Sequence, residues 1–302
     1  MVRPVAFRHH LEFLAFRFVS FVIVLLPERL ALSLCGLLGW LGGVAFRIRR
    51  ADVDRHLSMA FPGSEPAWRS RVARRSYRHL AREAAMALRL ASMESDEAVR
   101  RTDIEGFEHF RRVVEEGRGA VLITGHLGNW EVGAAAFAAR GVPMNAIAHL
   151  QKNPLFDRHL VETRNRLGLN VIVKNQAFRV APRLLSAGRV VGFLADQNLQ
   201  RRGVFVDFFG HLAATARGPA LFALRKDAPV FVAFALRLPG WPSRYRVTLE
   251  RVPLPQAGSN DEAVKELTQR HVSILERHVR EAPDQYFWQH RRWKTRPDSE
   301  PS

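Results

Sequence analysis

The chain has 302 residues, 47% of them hydrophobic, which is enough for one large α/β domain or two smaller domains with a full core. Lysine and arginine outnumber aspartate and glutamate by 46 to 29, so the formal charge is +17. Such an excess predicts anionic partners: nucleic acid, acidic lipid head groups or phosphorylated substrates. The single cysteine, Cys35, excludes an intramolecular disulfide and gives no sign of a cysteine-rich metal site.

Residues 1–50 are predicted to form N-terminal membrane anchor or interfacial helices. Leu11–Leu26 is apolar and aromatic, broken only by Glu12 and Arg17, and Leu30–Phe46 is uncharged. Neither stretch reaches the ~20 apolar residues of a comfortable membrane span, and the apolar region is too extended for a cleaved signal peptide. Two interpretations stay open: a short or tilted anchor beside an interfacial helix, or two buried helices of a soluble protein. Flanking aromatic and arginine residues favour membrane association, with the bulk of the chain in the cytoplasm.

After two further helices, the pattern changes to alternating strands and helices. The first helices are Asp52–Phe61 and the arginine- and alanine-rich Trp68–Ala91. The predicted strands are Ala120–Thr124, Asn145–Leu150, Asn170–Lys174, Val190–Ala195, Val204–Phe208 and the paired Val230–Leu238 and Tyr245–Val252. The helices that alternate with them are Phe107–Glu116, Trp130–Arg140, Pro154–Leu167, Phe178–Ala187, Pro219–Arg225 and Asn260–Arg280. This alternation predicts an α/β domain over residues 51–295, a mainly parallel sheet flanked by helices, and a disordered tail at 296–302.

The first candidate site lies in the segment Gly119–Glu131, where a buried strand ends and a helix begins. His126 stands on the turn, Asn129 is the predicted helix cap, and Glu131 falls in the first helical turn. A histidine at such a position can act as a general base if a carboxylate fixes its tautomer, and Glu131 can reach back to it. The alternative is that His126 caps the helix and Glu131 only complements its dipole.

The second candidate is Asp196-Gln197-Asn198, at the end of another predicted strand. Ligands of open α/β sheets bind outside the carboxyl ends of the strands, so these residues can share a rim with His126. The alternative is an ordinary aspartate in a β-turn.

Two further groups of residues suit an anionic, lipid-like substrate. The phenylalanine-rich segment Gly203–His211 is either core packing or the wall of an acyl-chain site, and Thr215 and Arg217 near a helix N-terminus suit an anionic group. Basic clusters could bind phosphate if they converge, and otherwise form a solvated surface. These clusters are Arg164 with Arg166, Arg201 with Arg202, and the aromatic and basic segment Tyr286–Lys294.

Three ordered segments resemble one protein family, the bacterial lipid A biosynthesis (late) acyltransferases. Gly125–Glu131 resembles their His-x4-Asp/Glu motif, Asp196–Thr215 a second block, and Phe287–Lys294 a C-terminal block. The similarity covers nearly the whole chain. The resemblance implies a glycerolipid-acyltransferase-like α/β fold with N-terminal membrane-associated helices.

The resemblance also implies an activity and its partners. We expect a membrane-bound enzyme at the cytoplasmic face of the cell inner membrane that moves a fatty acyl group from acyl carrier protein to a hydroxyl of a lipid A precursor or related glycolipid. The partners implied are an acidic acyl carrier protein, a phosphorylated glycolipid acceptor and the membrane, without nucleic acid. No cofactor or metal is implied.

Carried onto this sequence, the family's roles fall on named residues. His126 is the general base, Glu131 orients and charges it, and Arg164 contacts a phosphate or oxyanion. Asp196 matches the family's strand-end aspartate and is either structural or acceptor-binding. The other predicted substrate-binding residues, chosen from the segments described above, are Gln197, Asn198, Thr215 and Arg217. One departure is His149, which stands where the family has an aromatic–arginine pair and leaves the acceptor's identity open.

Three alternatives remain. The first is an acyltransferase that acts on a lysophospholipid or another glycolipid. The second is a basic peripheral protein that binds membranes or nucleic acid without catalysis. The third is a metal-dependent hydrolase using His126, His149 and Glu131, although their spacing lacks the usual ligand pattern.

Overall fold

The computed structural model describes residues 4–199, 203–256, 258 and 260–297, which form eleven α-helices and nine strands. The helices are α1 Phe7–Leu25, α2 Glu28–Val44, α3 Arg50–Ala60, α4 Pro66–Leu90, α5 Ser95–Arg100, α6 Phe107–Glu115, α7 Trp130–Ala139, α8 Pro154–Arg166, α9 Ala177–Ser186, α10 Gly218–Lys226 and α11 Asp261–Glu281. The strands are β1 Thr102–Glu105, β2 Ala120–Thr124, β3 Met144–Ala148, β4 Asn170–Val173, β5 Val190–Leu194, β6 Gly203–Phe208, β7 His211–Ala216, β8 Val230–Arg237 and β9 Tyr245–Val252.

Seven strands form one mainly parallel sheet in the order β1-β9-β8-β2-β5-β3-β4. The one antiparallel contact in it joins β8 to β9, as predicted, and β6 and β7 form a separate antiparallel hairpin. The predicted α/β class is therefore confirmed. The sequence patterns missed α5, β1 and β7, because the first two are short and polar and β7 is rich in alanine rather than in β-branched residues.

Helices cover both faces of the sheet, and the alternation of side chains along β2 shows which helix lies where. Leu122 packs in one core cluster with Phe137 of α7 and with residues of α6. Val121 and Ile123 point the other way and pack in a second cluster with residues of α9, α10 and α11. Burial on both faces explains why the parallel strands read as nearly continuous apolar runs.

The N-terminal helices α1 and α2 have one buried side and one apolar exposed side. Ile23 and Leu32 are buried in a third cluster with Met86 of α4 and Val132 of α7. Among the residues that the structure describes, fifteen of the twenty exposed large apolar side chains lie between Val5 and Ile48, so exposure of such side chains is concentrated on this part of the protein. In the described part of the chain, no helix has both the length and the hydropathy that crossing a bilayer requires.

The pair Gly39 and Gly43 on α2 allows α4 to approach closely. A Cβ atom on Gly39 would stand 2.4 Å from the carbonyl oxygen of Tyr77, and one on Gly43 would stand 2.3 Å from the Tyr77 ring. Gly42, on the same helix, has only ordinary contacts, the nearest being Ile48 at 3.6 Å. Two glycines of α2 are thus needed for helix packing.

We predict that Gly39→Ala lowers the free energy of unfolding by about 1–3 kcal/mol, because the backbone of α4 has to move away from the new methyl group. Gly42→Ala is the matched control, since it brings the same gain in helix propensity without the clash, and it should be neutral or stabilising by up to ~1 kcal/mol. Thermal and denaturant unfolding of the two variants checks this. Equal stability of the two variants would contradict the packing argument.

Candidate active site

The turn that carries His126 is held in place from several directions. Asn129 caps α7 as predicted: its side-chain oxygen accepts a hydrogen bond from Val132 N at 3.1 Å, and its amide donates to the buried Glu83 carboxylate at 2.8 Å. Gly128 has φ +67°, and a Cβ there would stand 2.0 Å from the carbonyl oxygen of Ala235 in β8. Only glycine fits this turn, which sets His126 directly after β2.

The C-terminal segment around residues 285–293 closes over the same turn. Phe287 N donates to the carbonyl oxygen of His126 at 3.0 Å, and Gly128 N donates to that of Gln285 at 3.1 Å. The His126 ring lies between the rings of Trp130 and Phe287, with centroid distances of 4.6 and 5.7 Å. Sequence reasoning singled out this segment for its basic and aromatic residues, but not for its contact with the histidine turn.

The partner of His126 is Asp196, at the end of β5. The two Asp196 oxygens accept hydrogen bonds from His126 Nδ1 at 2.7 Å and from its backbone N at 2.8 Å. Asp196 is buried, being 3% exposed. A carboxylate accepts but does not donate, so the proton of the neutral ring is on Nδ1. Nε2 then keeps its lone pair, and the Gln197 amide donates to it at 3.1 Å.

The prediction that Glu131 orients His126 is therefore wrong in its geometry. Glu131 forms a two-pronged ion pair with Arg164 of α8, in which Arg164 Nε lies 3.2 Å from Oε2. Since Glu131 follows the cap, the helix directs it towards α8, and Asp196 takes the position at Nδ1. Asp196, predicted to be either structural or acceptor-binding, lies behind the histidine and holds it.

A group of buried polar side chains surrounds the Asp196 carboxylate. Burial raises its pKa, but the His126 ring, its hydrogen bonds and the Arg292 charge outweigh that effect, so the pKa lies below its ordinary value. Burial, with the nearby Asp196 charge, raises the pKa of the Tyr286 hydroxyl. Burial also lowers the pKa of Arg292. The carboxylate is thus kept ionised beneath the histidine.

A cavity of about 1070 Å³ opens beside His126 at the carboxyl ends of the parallel strands. Its lining is mostly apolar and comes from both faces of the sheet. On the α7 side it includes Leu122, Phe137 and the small residues Ala146, Gly192 and Ala233; on the α9–α10 side it includes Phe178, Phe193, Leu221 and Phe222. Such a volume and lining suit a long apolar ligand held by a few polar groups.

Most of the predicted site residues meet at this cavity. His126, Glu131, Arg164, Gln197, Asn198 and Arg217 all contribute to its lining. Several of them also have protein partners: Arg217 pairs with Asp261 at 2.5 Å, and Asn198 hydrogen-bonds Thr295 at 3.0 Å. The structure thus brings these six predicted residues together at one cavity.

The prediction that Thr215 binds an anionic group is wrong. Thr215 lies within β7, just before the start of α10, and its side chain is completely buried. Its hydroxyl donates to Ala213 O at 3.1 Å and accepts a hydrogen bond from Arg292 at 2.5 Å. Thr215 therefore anchors the C-terminal segment.

The phenylalanine-rich segment does not form the wall of the cavity. Phe208 and Phe209 are buried in the core, where Phe208 stacks on Trp293 at 5.6 Å and Phe209 lies near Trp288 at 6.1 Å. The β6–β7 hairpin packs on α11 and the C-terminal segment, which turns these rings inward. The predicted basic pair Arg201 and Arg202 lies outside the described residues, as do positions 298–302 of the predicted tail.

His149, where the sequence departs from the expected family pattern, lies on the cavity lining next to Lys174. Its Nε2 accepts a hydrogen bond from the Lys174 ammonium at 3.1 Å. Burial and the Lys174 charge lower the pKa of His149. No group of three His, Cys, Asp or Glu side chains among the residues described here has the spacing of a metal site.

A histidine held by a buried carboxylate, at the entrance of an apolar cavity beyond parallel strand ends, is the arrangement expected of an α/β enzyme with an apolar substrate. Residues 4–295 match the family model of the bacterial lipid A biosynthesis acyltransferases. The chain belongs to this family, and the protein is an acyltransferase.

Several curated relatives support the assignment. The chain is 30% identical to the lipid A biosynthesis lauroyltransferase of Escherichia coli over 293 residues, covering 94% of this chain and 92% of the relative. It is 25% identical to a lipid A biosynthesis acyltransferase of Haemophilus influenzae over 287 residues, covering 94% and 87%. It is also 30% identical to a phosphatidylinositol mannoside acyltransferase of Mycolicibacterium smegmatis over 174 residues, covering 56% of each chain.

We predict that the buried histidine behind Asp196 makes the protein less stable in mild acid. Burial, together with the Arg292 charge, lowers the pKa of His271 to about 3. An unfolded histidine titrates near 6.5, so between these values the unfolded chain binds a proton that the native protein does not, and stability falls as the pH falls. From pH 7 to pH 5 this contributes a loss of about 2 kcal/mol.

Denaturant unfolding at the two pH values tests this. His271→Leu, which keeps a similar volume without a titrating ring, should lose about that much of the pH dependence. The same dependence in the variant and the wild type would show that His271 is not its source.

Proposed function

We propose that the protein transfers a fatty acyl group from an acyl carrier protein thioester to a hydroxyl of a lipid A precursor or related glycolipid, with His126 as the general base. The observation that carries this proposal is the His126–Asp196 pair at the apolar cavity, since Nδ1 is held at 2.7 Å and Nε2 keeps its lone pair. The family membership supplies the class of reaction.

In the proposed reaction, the acceptor hydroxyl displaces the Gln197 amide from His126 Nε2 and gives its proton to that nitrogen. The acceptor oxygen attacks the thioester carbonyl and forms a tetrahedral intermediate. When the intermediate collapses, the carbon–sulfur bond breaks and the imidazolium returns its proton to the departing thiolate. Asp196 stabilises the imidazolium and fixes its orientation. These steps require neither an acyl-enzyme nor a cofactor.

Glu131 and Arg164 act in this proposal as a pair. Glu131 holds the Arg164 guanidinium at the cavity, with Nε 3.2 Å from its carboxylate. A guanidinium has five N–H groups, so Arg164 keeps donors for an oxyanion or a phosphate of the acceptor. Glu131 thus acts on the substrate through Arg164 rather than through His126.

The acceptor is the least constrained part of the proposal. The E. coli and H. influenzae relatives are named for lipid A, whereas the shorter match is named for a phosphatidylinositol mannoside. A second candidate is therefore the same transfer to another glycolipid or to a lysophospholipid. Mass spectrometry of the lipids from a deletion strain separates the candidates, because the lipid that loses one acyl group identifies the acceptor.

We also propose that the enzyme works at the cytoplasmic face of the inner membrane, with α1 and α2 in the interface. The support is the concentration of exposed apolar side chains between Val5 and Ile48, next to the exposed Arg47 and Arg49. Apolar side chains enter the acyl boundary while flanking arginines meet anionic head groups.

The first test of the mechanism is the pair of substitutions His126→Ala and Asp196→Asn. Each should lower kcat by about 10²–10⁴, because the first removes the base and the second removes the charge that orients it. The assay follows acyl transfer from acyl carrier protein to a lipid A precursor. His109→Ala on α6, away from the cavity, is the control and should retain activity. Normal acyl transfer by the His126→Ala variant would contradict the proposed role of His126 as the general base.

The membrane proposal predicts that Phe18→Ser with Phe21→Ser reduces binding to vesicles of phosphatidylethanolamine and phosphatidylglycerol by about tenfold or more, since two large apolar groups are lost. These side chains are 69% and 63% exposed, so the fold should not depend on them. Leu212→Ser, on the exposed side of β7, is the control. Unchanged sedimentation of the double variant with vesicles would argue against α1 as the contact.

A further inference from the structure

The transfer mechanism leaves a basic surface beside the cavity unused. We call the exposed side chains of Lys174, Arg179, Arg183, Arg225 and Lys226 the α9–α10 basic surface. The contacts of the described residues include no ion pair between any of these five and a carboxylate, and Lys174 hydrogen-bonds only His149. From Lys174 to Ala195 the sequence contains no aspartate or glutamate at all. By contrast, exposed arginines elsewhere, such as Arg100 and Arg111, form an ion pair with a carboxylate on their own helix.

An exposed aromatic ring stands within this surface. Phe178, in the first turn of α9, is 64% exposed, and its ring meets that of Phe222 in α10 at 5.2 Å. Phe178 also lines the cavity, together with Lys174 and Arg225. A large aromatic ring that is exposed to water beside unpaired cations is unfavourable on a free surface. Such a ring is common at the centre of a protein–protein contact.

The α9–α10 basic surface lies on the opposite face of the sheet from the N-terminal helices. Ala181 and Leu185 of α9 pack in the same cluster as Val121, on one face of β2. Phe137 of α7 packs with Leu122 on the other face, and α7 in turn contacts Leu32 of α2 through Val132. A lipid surface against α1 and α2 therefore leaves α9 and α10 open to a soluble partner.

We propose that the α9–α10 basic surface docks the acidic carrier protein that presents the acyl thioester, with the thioester arm entering the cavity past Phe178. The proposal rests on the function proposed above and specifies where its donor binds. Opposite charges accelerate the encounter and fix its orientation, and the adjoining cavity places the acyl group within reach of His126. The acceptor then reaches the same histidine from the face that carries α1 and α2.

The test compares two donors that carry the same acyl group, lauroyl-acyl carrier protein and lauroyl-pantetheine, the second having no protein to dock. Arg179→Glu with Arg183→Glu should lower kcat/KM for the carrier-bound donor about tenfold or more, mainly through KM, and leave that for lauroyl-pantetheine within about twofold. Neither arginine lines the cavity. Added salt should lower the wild-type rate with the carrier and have little effect on the variant.

Arg118→Glu with Arg251→Glu is the matched control. Both residues are exposed and lie at the amino-end edge of the parallel strands, opposite the cavity. This control changes the net charge equally and should keep the carrier kinetics of the wild type.

Three results would overturn the docking proposal, and a fourth would refute the function on which it rests. An equal loss with both donors would show that the two arginines support the fold or the transfer step rather than carrier docking, and unchanged carrier kinetics would place docking elsewhere. A loss of binding to vesicles of equal parts phosphatidylcholine and phosphatidylglycerol, without a change in carrier kinetics, would assign the surface to lipid. Transfer by the wild type from neither donor would instead refute the proposed function itself.

Discussion

The buried carboxylate of Asp196 is the group around which the site is built. An ion at 3% exposure costs several kcal/mol of solvation, and this cost has to be offset by hydrogen bonds and charge. His126 offers two N–H donors and Arg292 its charge, and the Tyr286 hydroxyl lies nearby. Because these groups come from distant parts of the chain, satisfying one carboxylate also brings β5, the histidine turn and the C-terminal segment together.

A second buried carboxylate fixes the turn from the other side. Glu83 of α4 accepts hydrogen bonds from Asn129 and from the Tyr245 hydroxyl, at 2.8 and 2.7 Å. The cap of α7 is thereby linked to α4, the helix against which α1 and α2 also pack. The histidine is thus preoriented by packing, while the neighbouring cavity, lined by small and aromatic side chains, is left for the ligand.

The sequence was most informative where a local pattern controls the structure. Strand β2 and helix α7 were located within a residue, and the rule that ligands bind beyond strand ends pointed to Gln197 and Asn198, which line the cavity. The sequence predicted the wrong carboxylate partner for His126. The two candidates were Glu131, five positions away, and Asp196, 70 positions away. The short spacing along the chain favoured Glu131. In the structure β2 and β5 are neighbouring strands, which places Asp196 next to His126 instead. The surroundings of Thr215 were also mispredicted. Thr215 lies in β7, the second strand of the β6–β7 hairpin, and β7 has no strong sequence signal.

The closure of the turn by the segment around residue 287 has a consequence for the order in which the protein matures. Tyr286, Phe287 and Arg292 follow all nine strands along the chain, so they leave the ribosome after the sheet and the His126–Asp196 pair. Until they arrive, Asp196 lacks part of its compensation and His126 lacks its covering ring. A nascent chain can therefore form its sheet before the His126 turn is closed, and the geometry of the proposed base is complete only once this segment has emerged.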